Sequence, residues 1–228
     1  MDSRQILHML QLSDGLFPIG AFAFSDGLET VVQRDEVITS AHFLVWFKHY
    51  VEAVFKESEG PAILQAMEFF PKDWTRLQNL DHELTALRPS FEMRVSSHSL
   101  GLRLLKTCVV MHPAQVLTDL LERIDSGAFH GNIALVHGAV FRELGCGERE
   151  ALLSFVYSRL SGAVSAALRL ASVGQQEMQK VLSEVLECVP LTVEQVIESP
   201  SKSMTSFVPM MDVSQMEHRH LYSRLFRS

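Results

Sequence analysis

The sequence predicts an all-α protein, a single-domain orthogonal bundle of about ten helices that spans residues 1–228. Apolar residues recur with helical spacing through nearly the whole chain, and β-type alternation bounded by Asn-Gly or Asp-Gly hairpin signals is absent. A length of 228 residues suits one hydrophobic core, and 47% hydrophobic with 21% charged residues is the ordinary mix of a globular domain.

The first two helices are separated by a short break. Apolar residues at 6, 7 and 10 predict a helix that stops at Asp14-Gly15, and Phe17-Pro18-Ile19-Gly20 is typical of a turn. Asp26-Gly27-Leu28-Glu29 has capping-box spacing, which predicts that Asp26 caps the next helix.

Further apolar stripes predict the middle helices. They lie after Ser40 up to Gly60-Pro61, between Pro71 and Pro89, from Ser90 to about His112, across 116–124, 131–144 and 148–173, and from Met178 to Pro190. Thr192 through Gln195 again has capping-box spacing and predicts a short helix.

The last 30 residues differ in composition from the rest. Residues 199–228 are predicted to form an exposed Ser/Pro/Lys loop and a C-terminal docking helix, which Ser214 caps. Leu221, Leu225 and Phe226 are too few apolar residues to hold that helix firmly. We therefore expect the segment from about Ser201 to Ser228 to be mobile in the free protein.

Small side chains mark one helix face as a contact surface. Gly162 and Ala166 are four residues apart, so they share a face on which another helix can approach closely. The hypothesis is that Gly162 and Ala166 form the face of a homodimer, with an intramolecular contact as the alternative.

Composition excludes several partners and compartments. Twenty basic against 27 acidic residues give a net charge of −7, the wrong sign for nucleic acid. Cys108, Cys146 and Cys188 lie far apart without a C-x-x-C pair, which favours free thiols in a reducing cytoplasm. Because no signal peptide and no run of about 18 apolar residues occurs, no membrane is expected.

Motifs for catalysis, cofactors and metals are missing from the sequence. There is no phosphate-binding G-x-x-x-x-G-K-[ST] loop, so we do not expect the chain to hydrolyse GTP alone. His130 and His137 are seven residues apart, about 10 Å along a helix, too far to share one ion. The sequence therefore predicts no catalytic residue, no cofactor and no metal site.

Several segments resemble the UreF family of urease accessory proteins. The longest is Leu10-Gln11-Leu12-Ser13-Asp14-Gly15-Leu16-Phe17-Pro18-Ile19-Gly20-Ala21-Phe22-Ala23-Phe24-Ser25-Asp26-Gly27-Leu28-Glu29. Shorter ones are Glu92-Met93-Arg94-Val95-Ser96-Ser97, His137-Gly138-Ala139, the stretch from Ser161 to Gln175, and His218 followed by Arg224-Leu225-Phe226-Arg227-Ser228. They span the chain from end to end in the order that the family has.

The resemblance implies a homodimeric, non-enzymatic urease maturation factor. It implies a scaffold that bridges UreD (also called UreH) to the GTPase UreG, modulates GTP turnover and helps nickel reach apo-urease. Partner-binding residues carried over from the matching segments are Pro18, Gly20, Ser25, Glu29, Glu92, Arg94, His218, Tyr222, Arg224, Leu225, Phe226 and Ser228.

Plainer interpretations stay open for these residues. Pro18 and Gly20 can simply shape a turn, and Glu92 with Arg94 can belong to a solvated face. Two other functions also remain: a helical adaptor unrelated to nickel, or a helical hydrolase built from Asp14, Glu29, Arg94 and His98.

Overall fold

The all-α prediction is confirmed by a computed structural model, which describes residues 2–36, 38–199 and 203–227. These described residues form helices and no strand. The α-helices are α1 (Ser3–Ser13), α2 (Leu28–Gln33), α3 (Ser40–His49), α4 (Gly60–Phe69), α5 (Trp74–Ala86), α6 (Phe91–Met111), α7 (Gln115–Asp125), α8 (Ile133–Glu143), α9 (Glu148–Leu170), α10 (Gln175–Leu186), α11 (Val189–Glu198) and α12 (Pro209–Glu217). Tyr50–Glu59 is a π-helix, and Ala21–Ala23 and His218–His220 are 3₁₀ turns.

Helix α8 lies at the centre of the bundle. Every residue from Ile133 to Phe141 is buried, and α8 packs mainly against α4 and α6. Gly138 permits this packing, because a Cβ there would stand 2.7 Å from the carbonyl oxygen of Ile63. The absence of a side chain thus lets α4 and α8 approach closely.

One buried histidine makes the core sensitive to acid. The His137 ring packs on Phe141 and Phe155, its Nε2 lies 3.0 Å from the Ala151 carbonyl, and burial lowers its pKa to about 4. The unfolded chain, with an ordinary pKa near 6.5, takes up this proton more readily.

We therefore expect the free energy of unfolding to fall by up to roughly 3 kcal/mol as pH drops from about 6.5 to about 4. Urea unfolding measured across that range checks it. His137→Gln should flatten the slope, whereas His42→Gln, an exposed control, should not. Equal slopes in wild type and His137→Gln would contradict the assignment.

A proline explains why the helix after Ser40 does not end where the sequence predicted. Gly60-Pro61 does not end it, because the chain continues through the π-helix directly into α4. Pro61 has no N–H for the carbonyl four residues earlier and crowds it. The structure responds with a wider turn, in which the Gly60 N–H reaches Phe55, and the Glu57 carbonyl accepts from the Thr205 N–H at 2.9 Å.

Three predicted helix starts were wrong. Asp26 does not cap α2: Gly27, at φ 86°, holds the N-cap position without a side-chain bond. Thr192 lies inside α11, which begins at Val189 with Pro190 in its first turn. Ser214 lies inside α12, which starts at Pro209.

Helix α9 is long and apolar enough to cross a membrane by length and composition alone. Half of the relevant stretch is buried inside the fold, however, as in the core helix of a water-soluble protein.

Candidate functional site

The site begins at Glu29, which the sequence placed in a capping box but which the structure buries. Glu29 lies in the first turn of α2 and is 1% exposed. Left-handed backbone at Gly27 and at Asp26 (φ 52°) turns the chain into α2 and directs this carboxylate inward. A buried carboxylate is costly unless hydrogen bonds surround it.

The C-terminal tail supplies those hydrogen bonds. The Glu29 Oε2 atom lies 2.7 Å from Nε2 of His218 and accepts from the Phe226 N–H at 3.1 Å, while Oε1 accepts from the Leu225 N–H at 2.6 Å. His218 itself is fully buried. One carboxylate therefore joins two ends of the chain that are almost 200 residues apart in sequence.

The C-terminal helix lies earlier in the chain than the sequence predicted, at Pro209–Glu217. The 3₁₀ turn ends at His220, and residues 221–227 continue without helix. Leu225 points outward at 61% exposed, whereas Phe226 is buried at 5%. Ser228 lies outside the described residues.

Aromatic and basic groups surround the docked tail. The Arg169 guanidinium stacks 4.2 Å above the Phe226 ring and donates to the Phe22 carbonyl at 2.7 Å. The Arg227 N–H donates to the Ala23 carbonyl at 2.8 Å. We call the resulting surface the terminal patch, which consists of Phe22, Arg169, Tyr222, Arg224, Leu225 and Arg227.

A cavity with charged walls, here called the chamber, lies beside this site and has a volume of about 60 Å³. At its walls Arg159 Nη2 binds Asp26 Oδ2 at 2.7 Å, and the Tyr50 hydroxyl donates to Glu59 Oε2 at 2.7 Å. The Arg88 guanidinium lies 3.5 Å from Glu59. A cavity of this size can hold several water molecules.

Burial shifts the ionisation of the chamber groups. It raises the pKa of Tyr50, with the neighbouring Glu59 carboxylate adding to the rise, so the phenol stays protonated and can donate. Burial also lowers the pKa of Arg88, an effect that Glu59 opposes. The chamber therefore holds two pairs of opposite charges, of which Arg88–Glu59 is buried and Arg159–Asp26 is partly exposed.

A second network fixes the outer side of Arg88. Its Nη1 donates to Asn132 Oδ1 at 2.9 Å, and the Asn132 amide donates to Asp81 Oδ1 at 2.8 Å. The fully buried Asp81 carboxylate also accepts the N–H groups of His130, Gly131 and Asn132. Asp81 thus holds the start of α8 against α5.

The N-terminal partner-binding residues divide into buried and exposed ones. Pro18 is exposed, while Gly20 is buried at φ 75° beneath Arg103. Ser25 is buried, and its hydroxyl accepts from the Glu29 N–H at 3.4 Å. Gly20 and Ser25 thus shape the turn that places Glu29.

The central pair lies away from Glu29 and serves local structure. Glu92 accepts from the Ser90 hydroxyl at 3.0 Å. Arg94 donates to the carbonyls of Arg88 at 2.7 Å and Pro89 at 2.9 Å, which fastens the α5–α6 connection. Their part in partner binding stays a prediction.

The four residues of the hydrolase alternative do not meet. Asp14 accepts from the Leu16 N–H at 2.7 Å, Arg94 binds the α5–α6 connection, and His98 lies 3.3 Å from the Thr85 hydroxyl. Glu29 binds the tail. The structure gives each its own partner and assembles no common site from them.

Three imidazoles come together where the sequence predicted no metal. The His130 ring centroid lies 5.2 Å from that of His82 and 5.1 Å from that of His98. The rings of His98 and His130 are stacked, so their nitrogens do not converge on one point. Over residues 2–36, 38–199 and 203–227, no three His, Cys, Asp or Glu are placed to hold a metal ion.

The two proposed dimer residues differ in exposure. Ala166 is fully buried in its own chain, whereas Gly162 is half-buried and an added Cβ there would meet nothing within 4 Å. Their part in a dimer contact stays a prediction.

Sequence reasoning missed the chamber residues and Asp81. A charged residue at a helix end, such as Arg88 before Pro89, is too common to single out. Asp26 was noticed only as a cap. Tyr50 and Glu59, nine residues apart, would point in opposite directions on an α-helix.

The fold and the site together define an all-α protein whose buried polar groups hold segments of its own chain. The family model for UreF matches residues 37–186. The chain is 29% identical to a "Urease accessory protein UreF" of Bacillus sp. (strain TB-90) over 226 residues, which cover 99% of the chain and 100% of that relative. It is 29% identical to the UreF of Arthrobacter sp. (strain FB24), covering 97% and 96%, and 28% identical to that of Microcystis aeruginosa (strain NIES-843 / IAM M-2473), covering all of both.

The chain belongs to the UreF family of urease accessory proteins, which implies a role in urease maturation. The family model covers residues 37–186, so it includes neither Glu29 nor the C-terminal tail. The alignment with the Bacillus relative covers both of these segments as well.

Proposed function

We propose that this chain is a cytoplasmic, non-enzymatic scaffold that bridges UreD (UreH) and the GTPase UreG for nickel insertion into apo-urease. In this proposal it also modulates GTP turnover by UreG. The observation that supports it is the terminal patch, where a buried carboxylate holds the tail so that its apolar and basic groups face outward.

The terminal patch has the chemistry of a protein-binding surface. Phe22 is 65% exposed, Leu225 is 61% exposed and Tyr222 is fully exposed. Full burial of such side chains on a partner is worth roughly 1.5–3 kcal/mol each before ordering costs. Aromatic residues and arginines are also the residue types enriched at interface hot spots.

Charge supports an acidic partner surface. Arg224 and Arg227 are exposed, and the Glu29 carboxylate beneath them is engaged by the tail. The terminal patch is thus basic on a chain of net charge −7. Arginine can bind partner carboxylates with two parallel hydrogen bonds.

Co-purification tests the scaffold. The tagged chain should capture UreD, and it should capture UreG only when UreD is present. Arg224→Ala should weaken the capture of UreD. GTP turnover by UreG should change on addition of the complex. Failure to retain either protein at low salt would overturn the proposal in favour of an adaptor unrelated to urease.

A homodimer is the second part of the proposal. The exposed side of α9 borders an open groove of about 520 Å³ between α1 and α11, lined by Leu10, Leu153 and Tyr157. Leu10 is 57% exposed and the nearby Leu16 is 91% exposed. A contiguous exposed apolar surface of this kind marks a protein contact, and a two-fold dimer would cover it in both copies.

Leu10→Glu should therefore convert the dimer into a folded monomer, since a charge would be buried at the contact. Sedimentation or light scattering measures the mass, and circular dichroism confirms the fold. Val110→Glu is the matched control, because Val110 is an exposed helical residue on α6, outside the groove. A Leu10→Glu protein that stays dimeric would move the dimer contact elsewhere.

A further inference from the structure

Two exposed imidazoles lie side by side where α5 meets the segment that leads into α8. The ring centroids of His82 and His130 are 5.2 Å apart, and the ring planes are inclined by 56°. Neither ring belongs to the terminal patch or to the chamber. Imidazole is the commonest side-chain ligand of transition metals in proteins, so this pair is a candidate for metal binding.

The separation of the two rings suits one shared ion. An imidazole nitrogen binds such an ion at about 2.1 Å, which places the centre of its ring about 3.2 Å from the metal. Two rings on one ion are then about 4.6–5.3 Å apart, for ligand angles between about 90° and 109°. The distance of 5.2 Å between His82 and His130 falls in this range. Exposed side chains change rotamer rapidly, so both rings can turn a nitrogen toward a common ion.

Hydrogen bonds fix the backbone of the two histidines relative to each other. The carboxylate of Asp81, the neighbour of His82 on α5, accepts the N–H of His130. One turn earlier on α5, Gln78 Nε2 donates to the Ala128 carbonyl at 2.8 Å. Because both bonds hold the 128–130 segment on α5, an ion would have to order only side-chain rotamers.

A third histidine supports the ring of His130 from behind. The His98 ring stacks on it with centroids 5.1 Å apart and planes inclined by 9°. His98 Nε2 lies 3.3 Å from the Thr85 hydroxyl, which gives its own hydrogen to the Asp81 carbonyl. His98 Nε2 is therefore the donor of that bond. Burial lowers the pKa of His98 to about 4, with His130 adding to the effect, so His98 is a neutral support at pH 7.

Another imidazole pair is less suited to a cation. The ring centroids of His8 and His112 are 4.5 Å apart, but the Nε2 atom of His112 is enclosed by protein. Burial, His8 and the Arg4 guanidinium together lower the pKa of His112. Surroundings that disfavour an added proton also disfavour a metal ion, which makes His8 a matched control for His82.

We propose that His82 and His130 bind one divalent ion of a first-row transition metal, with water in the remaining coordination positions. Imidazole favours nickel, copper and zinc over magnesium and calcium. The part of the chain that the structure describes offers no set of three ligating side chains, so the site stays open and its ion exchangeable. Nickel as the occupant in the cell rests on the proposed function, whereas the site itself does not.

Calorimetric titration of the full-length chain, without a histidine tag, tests the site with nickel chloride as the probe. We expect one ion per chain, and excess magnesium should not compete. His82→Gln and His130→Gln should each lower the affinity about tenfold or more, since even the loss of an outer-shell partner costs that much in known sites. Both side chains are exposed, so circular dichroism should show an unchanged fold.

Two further variants test the assignment of the ligands. His8→Gln should bind nickel like the wild type. His98→Phe should also retain binding, because it keeps a flat ring against His130 but has no nitrogen to offer. Loss of binding in either variant would overturn the assignment to His82 and His130.

Other results would overturn the site as a whole. These are the absence of binding by the wild type, and unchanged affinity in the double variant His82→Gln, His130→Gln. Neither result would touch the proposed scaffold, because the titration contains no UreD or UreG. Urease activation in cells at low nickel tests the occupant separately: we expect the double variant to activate less urease than the wild type. Normal activation would overturn nickel as the occupant in the cell.

Discussion

Asp81→Ala should lower the free energy of unfolding by roughly 4 kcal/mol, the largest effect on stability that we expect from one substitution. The carboxylate accepts three consecutive backbone N–H groups at the start of α8 and a further hydrogen bond from the Asn132 side-chain amide. Alanine would leave the three backbone N–H groups without acceptors, while the Asn132 amide would keep the Asp81 carbonyl and the Thr85 hydroxyl. Since Asn132 also binds Arg88, the loss would reach the chamber.

Urea unfolding followed by circular dichroism measures this effect. Asp125→Ala is the control, because Asp125 is an exposed aspartate at the end of α7. A change below about 1 kcal/mol for Asp81→Ala would show that the 130–132 segment finds other acceptors.

Deleting residues 221–228 should abolish UreD binding while the core stays folded. The deletion removes the Leu225 and Phe226 N–H groups from Glu29 and takes away most of the terminal patch. Hydrogen exchange should retain slow exchange in α8, whose residues are buried from Ile133 to Phe141.

The control for this deletion is Phe207→Asp. Phe207 is 85% exposed in the same C-terminal segment but lies outside the terminal patch. It should leave UreD capture unchanged. Full-strength capture of UreD by the truncated chain would show that the tail is not the docking element.

The helices with strong periodicity and clear caps could be predicted from sequence. Helix α6 begins after Ser90, whose hydroxyl accepts the Met93 N–H at 3.3 Å, and ends before His112. Helix α8 is buried over most of its length, as its almost wholly apolar sequence indicated. Local signals sufficed because each of these helices follows its intrinsic pattern.

The chamber could not be predicted, because its geometry depends on an unusual helix. Nine residues are about two and a half turns of an α-helix, which would set Tyr50 and Glu59 on opposite faces. A π-helix has about 4.4 residues per turn, so the same spacing is close to two full turns. The hydrogen bond of 2.7 Å between these side chains therefore exists only in the π form.

The prediction of a helix in the C-terminal tail failed for a different reason. Capping-box spacing at Ser214 and apolar residues beyond it predicted a terminal helix, but α12 starts earlier and residues 221–227 are not helical. Hydrogen bonds that the tail donates to Glu29 override the local preference for helix. A partner 196 residues away in sequence leaves no local signal. The family resemblance nevertheless included both Glu29 and Leu225.

Urease activation in cells tests the central claim most directly. In a host that carries the urease genes, deletion of the gene for this chain should leave urease protein at its normal level but without activity. The wild-type gene should restore activity, and the gene lacking residues 221–228 should not. Full urease activity in the deletion strain at low nickel, with no other UreF present, would contradict a role for this chain in urease maturation.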